Sequence, residues 1–209
     1  MHDDLKGKLR QLESNYSGKD FRSIVALVKK DKINDDELLE QIENISQKRF
    51  REKVHFTLSV PAGNLLESAV TIAAVVMAFR ISPEWMLYLS ALILMTTLHP
   101  LSHYATGSLV GIKFTHYYLN GPARIEPTLR IDYSSYLKIS GGKRAIMHVS
   151  GVIGTLAAPL VVALMALNKG ANGIAVNLFV FFLLLIVFEL LTSTKIGDLM
   201  RARREYGYR

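Results

Sequence analysis

In the stretch "TLHPLSHYATG" two histidines, His99 and His103, stand four residues apart at the end of a long apolar run. Four residues is about one helical turn, so both imidazoles project from one face of a helix. Far along the chain a carboxylate, Asp198, follows another apolar run in "STKIGDLMRARR". Two imidazoles and one carboxylate can hold Zn²⁺ and leave a fourth position open for water, the arrangement of catalytic zinc sites. Each component also has a plainer reading. One histidine pair at this spacing can arise by chance among six histidines, and an aspartate beside Arg201 can be a solvated or helix-terminal carboxylate.

Three more ionisable residues lie in apolar surroundings, where they are costly and are functional candidates by default. Glu67, in "AGNLLESAV", reads as polar glue between helices or as a catalytic carboxylate. Glu189 reads as bonded to neighbouring hydroxyls or facing a bundle interior. His148 reads as an interfacial group bonded to a backbone carbonyl, with a further metal ligand or a donor to substrate as alternatives. His116 alternates with Phe114 and Tyr118, as a strand-face residue would. Pro100, between the paired histidines, removes one backbone hydrogen bond and predicts a kink. Ser150, Gly151 and Gly154 offer small surfaces for close helix packing. With no cysteine in the chain, thiolate catalysis, disulfides and Cys-type zinc sites are excluded.

The elements that must position these groups are mostly apolar. Of 209 residues, 50% are hydrophobic, and they concentrate after residue 56. Four stretches, about 57–79, 84–106, 145–167 and 171–193, reach the roughly 20 apolar residues that a membrane span needs. Lys and Arg number 12 in residues 1–56, 6 in 105–146 and 5 in 194–209, while the two short connectors hold Arg80 and Lys169. The positive-inside rule then places both termini and the long connector 107–144 in the cytoplasm. The expectation is an integral protein of the cell membrane. No signal-peptide core precedes the first charges.

Residues 1–56 carry 11 acids against their 12 cations, so the net basic charge sits beside the spans. It suits anionic lipid headgroups there, and nucleic acid is not an expected partner. Within this segment "DKINDDELLEQIENISQKRF" has acids first, Leu38, Leu39, Ile42 and Ile45 at helical spacing, and cations last. That order predicts a helix, and the segment reads as a soluble two- or three-helix cap. The connector 107–144 is rich in β-branched and aromatic residues around Asn120-Gly121, a hairpin signal. Strands are expected over about 110–119 and 123–139, with Pro127 marking an interruption or an edge.

The order of these features resembles the site-2 protease family of intramembrane zinc metalloproteases. "HPLSH" (99–103) stands where that family has HExxH, and "TGSLVGIKFTHYYLNG" resembles the strand-forming stretch that follows. "KRAIMHVSGVIGTLAAP" (143–159) is similar to the family's Gly-containing span. "FELLTSTKIGDLMR" (188–201) looks like the last element, with Asp198 as its aspartate. The resemblance covers roughly residues 84–201. It implies a four-span α-helical core with a cytoplasmic β-hairpin insertion, zinc held by His99, His103 and Asp198, and another membrane protein's span as substrate. Where the family has its general-base glutamate this chain has Pro100, with Val152, Thr155, Leu199 and Glu189 as further departures. Two outcomes are therefore expected side by side: zinc-dependent peptide hydrolysis, or an inactive homologue that binds a membrane partner with the metal structural or absent. Glu67 and Glu189 are the candidate substitute carboxylates, neither of which the sequence places within reach of the metal, and the oligomeric state is open.

Overall fold

The structure, a computed structural model, describes residues 2–80, 83–121, 125–192 and 196–209. Three helices come first: α1 (His2–Ser14), α2 (Gly18–Lys30) and α3 (Asp36–Lys53). Ser17 and Asp35 start the second and third by accepting the amides of Asp20 and Leu38, groups that a helix N-terminus otherwise leaves unpaired. Leu38, Leu39 and Ile42, expected on one face, are fully buried against Leu5, Leu9 and Val28.

Four helices are long and apolar enough to cross a membrane: α4 (Val60–Arg80), α5 (Trp85–Val110), α7 (Gly141–Asn168) and α8 (Asn172–Thr192). They match the expected stretches, with α5 and α7 each extended by about a turn on the side of the long connector. Only 17% to 44% of each apolar stretch is buried, and Leu65, Ile72, Leu92, Leu164 and Leu184 point outward. An apolar surface this continuous is compatible with an integral membrane protein. Between the helices the contacts are small: Ala74, Ala78, Ala91, Ala158, Ala163 and Ala166 are buried, so the backbones approach closely. Helix α5 runs on through Pro100 without a break in assignment.

The connector forms β2 (Phe114–Asn120) and β3 (Glu126–Ile131), paired antiparallel as expected, Tyr117 opposite Leu129 and Asn120 opposite Glu126. Gly121 has φ +72°, the left-handed backbone that an Asn-Gly turn supplies; residues 122–124 of the turn lie outside the described residues. Two features differ from expectation. A short strand, β1 (Leu58–Ser59), pairs with β2, so the hairpin is part of a three-stranded sheet with β3 at its edge. The second expected strand is also shorter. Asp132 accepts the Ser135 amide at 2.7 Å and starts a helix, α6 (Tyr133–Lys138), where residues up to 139 were expected to be extended. Local capping overrides the β-branched and aromatic composition there.

The last helix, α9 (Gly197–Tyr206), is fastened to the N-terminal bundle through one carboxylate. Glu205 is fully buried, 2.5 Å from Lys29 Nζ on α2 and 2.7 Å from Arg144 Nε on α7. Both cations also lie over the Tyr136 ring. At Gly141 a Cβ would overlap the Glu205 carbonyl, so only glycine lets α7 start this close to α9. Burial alone would raise the Glu205 pKa, but the two cations outweigh it and hold the carboxyl below its usual range.

Glu205→Ala leaves two buried cations without their partner. It is expected to cost about 3–5 kcal/mol, read as a lowered unfolding midpoint in detergent. In the unsubstituted protein this carboxylate's contribution is fully present above the ordinary glutamate value of about 4.3. It is lost as pH falls through the lower folded value. A midpoint unchanged by the substitution would mean that α9 is held by other contacts.

Candidate metal centre

Helices α5 and α7 meet at two glycines. A Cβ on Gly151 would overlap the His103 ring, and one on Gly154 would overlap Ser102 and the Leu98 carbonyl. Their absence brings the histidine face of α5 against the backbone of α7. His103 Nδ1 then lies 2.8 Å from the Met147 carbonyl, and His99 Nδ1 lies 3.0 Å from the Thr155 hydroxyl. A carbonyl only accepts, so His103 Nδ1 carries the proton and, in the neutral ring, Nε2 has a free lone pair. The Thr155 hydroxyl donates its hydrogen bond to the Gly151 carbonyl at 3.2 Å, so its oxygen is free to accept from His99 Nδ1–H.

Both Nε2 atoms therefore turn inward, where Asp198 on α9 joins them. His103 Nε2 and His99 Nε2 lie 3.2 Å apart, and the Asp198 Oδ2 atom is 3.0 Å from the first and 3.2 Å from the second. Three acceptor atoms cannot face one another at these distances without a cation among them, a metal ion or a proton on one ring. Tetrahedral zinc with bonds of about 2.0–2.2 Å separates its ligand atoms by about 3.3–3.6 Å, a few tenths of an ångström more than the sides of this triangle. The donor set, its spacing and the outward Nδ1 anchors all fit a divalent metal of the zinc class.

Asp198 is buried, and its second oxygen accepts from Arg201 Nη1 at 3.2 Å. Burial pushes its pKa up, but His103, His148 and His99 outweigh that and hold the carboxyl far below the usual range. It is a carboxylate, as a metal ligand must be. His148 is buried on α7 with Nε2 2.9 Å from the Tyr136 hydroxyl and Nδ1 3.7 Å from Asp198 Oδ1. Burial raises the Tyr136 pKa well above its ordinary value, so that hydroxyl stays protonated and can donate to Nε2. His148 then faces Asp198 with its other N–H. This role differs from both the backbone contact and the direct ligation considered from sequence.

Above the triad is a cavity of about 200 Å³, lined by His99, His103, Asp198, His148 and residues of β3. Glu126 lines it too, a carboxylate that nothing in the sequence distinguished. Glu67 is buried on α4, outside the cavity's described lining, near Tyr117 of the sheet. Glu189 is half-buried on α8 and also outside that lining, although its charge acts on both His99 and Asp198. His116 sits in β2 opposite Arg130, a strand residue as expected. Thr155 and the Met147 carbonyl are the supports that sequence reasoning missed. The available signal was that Thr155 lies one helical turn after Gly151.

No family model, curated protein or solved structure matches this chain.

Thr155→Val keeps the side chain's volume and removes the acceptor that fixes His99. The expected result is a 10- to 100-fold loss of metal affinity, measured by competition with a chromophoric chelator, with the fold retained. An unchanged affinity would show that the His99 tautomer does not depend on this contact.

Proposed function

We propose that this protein is a site-2-protease-like intramembrane metalloprotein that holds Zn²⁺ through His99, His103 and Asp198. The observation that carries the reading is the convergence of their three acceptor atoms while both Nδ1 atoms are anchored outward. The distribution of Lys and Arg supports an orientation with both termini and the sheet in the cytoplasm of a cell membrane, the basic excess beside anionic headgroups.

Zinc in this site would supply Lewis acidity, lowering the pKa of water towards ~7 and polarising a carbonyl oxygen. The chain's own part is to fix the ligands, exclude bulk water and present the substrate. β3 supports that last task. It is an edge of the sheet, with no strand paired on its other side among the described residues, and Glu126, Pro127, Thr128, Leu129 and Ile131 line the cavity over the triad. A span of another membrane protein, unwound at its end, can pair there and bring a peptide bond to the centre.

A second reading is favoured by one specific observation. Pro100 is buried inside α5 between the two ligands, where the family's glutamate would stand. A positioned general base contributes roughly 10²- to 10⁴-fold. Without one the protein is either a slow hydrolase or an inactive homologue that binds a membrane partner around a structural metal.

Zinc content of detergent-purified protein tests the centre. Near-stoichiometric zinc is expected in the unsubstituted chain, with loss in His103→Ala and Asp198→Ala. No zinc even after reloading would leave a membrane scaffold whose histidines only pack. Cleavage of a reconstituted membrane-protein substrate, abolished by the same substitutions, separates the protease from the inactive homologue.

A further inference from the structure

The cavity at the triad is the inner end of a longer cleft. His148, Arg201, Asn120 and Thr128 are shared with a second chamber of about 350 Å³. That chamber shares Ser46, Phe50, Tyr118 and Tyr133 with a third, of about 710 Å³, bordered by α2 and α3. Through these shared residues the three chambers adjoin one another in a row from the candidate metal centre, along the sheet, to the N-terminal bundle.

The outer two chambers are lined mainly by cations, whereas the cavity at the triad also carries the carboxylates Glu126 and Asp198. The outer chamber is lined by Arg22, Arg49, Lys53 and His55, with no acid among its described lining residues. In the middle chamber Arg201 and Arg204 are about half exposed, and the one lining acid, Glu205, is buried and already shared by Lys29 and Arg144. Arg49 is held by Glu52 at 2.7 Å, but Arg22 and Lys53 have no ion-pair partner among the described residues. Aromatic rings lie between the cations: Tyr16, Phe50 and Tyr118 are half-buried, and Phe56 is exposed. A wall of cations and rings in a concave site concentrates anionic groups and gives apolar side chains a surface to bury.

We propose that this cleft binds an acidic, aromatic-containing extended stretch of the substrate polypeptide, next to the segment presented at the centre. Charge complementarity sets the sign of the occupant. Adjacency to the cavity at the triad, and to the edge strand β3 that lines both, sets its class. A lipid headgroup would satisfy the outer chamber and leave the other two unused. The assignment of a substrate rests on the proteolytic reading above, whereas the binding itself needs no metal.

The test uses the full chain in detergent micelles and a fluorescein-labelled peptide of alternating glutamate and phenylalanine. Roughly ten residues at about 3.3 Å each give it the reach of a long cleft. Anisotropy is expected to show saturable binding that weakens with added salt. The double substitution Arg22→Glu with Lys53→Glu should weaken it roughly tenfold or more. Both residues are exposed, so an unchanged unfolding midpoint should accompany the loss. A lysine-for-glutamate peptide should not bind. Equal binding by the double variant, or no saturable binding, overturns the proposal. So does displacement of the peptide by phosphatidylglycerol vesicles but not by excess unlabelled peptide, which would assign the cleft to lipid. Zinc measured on the same samples keeps the two readings apart. Peptide binding without zinc sinks the metal centre alone, and zinc without peptide binding sinks this inference alone.

Discussion

The contact on which the rest depends is the approach of α5 to α7 at Gly151 and Gly154. Nothing larger than a hydrogen fits between the helices at these positions. The closeness turns the Met147 carbonyl and the Thr155 hydroxyl into partners for the two rings of α5. Each ring nitrogen on that side is then spoken for, and the opposite nitrogens have one direction left. A methyl group at Gly151 would not merely crowd a histidine. It would separate the two helices that together decide which nitrogen is free.

The third residue of the triad arrives by a different principle. Asp198 lies on a short helix outside the long apolar ones, and apolar packing alone would not fix its position. Polar contacts at both ends of that helix do so. At one end Asp198 meets three histidines and Arg201. At the other, Glu205 is enclosed by Lys29 and Arg144. Tyr136 connects the two, its hydroxyl on His148 and its ring beneath both cations of Glu205. A buried network of this kind keeps its geometry because every member would be left unpaired by a shift of any other.

Much of this could be read from the residues. Span lengths follow from apolarity and need no knowledge of packing, and the pairing of His99 with His103 follows from helical period alone. The capped, charge-ordered helix α3 and the Asn120-Gly121 turn are local signals that the fold keeps. What escaped the sequence is what depends on the relative rotation of two helices or on a cap within a β-rich run. Thr155 looks like any membrane threonine until α5 is laid against it. Asp132 looks like part of a strand until its side chain takes the Ser135 amide. Glu205, among arginines near the chain's end, has the local pattern of a solvated residue and is among the most deeply buried side chains. A two-residue strand such as β1 carries too little periodicity to be seen at all.

The residues that meet at the two ends of α9 are widely separated along the chain. His103 and Asp198 are 95 residues apart, and Lys29 and Glu205 are 176 apart. During synthesis the two histidines are therefore made well before α7, α8 and the start of α9. At roughly 5–20 residues per second that interval is on the order of 5–20 seconds. Asp198 is brought to the histidines by the docking of α9 on α2 and α7, so the three residues of the candidate centre come together only once nearly the whole chain has been made.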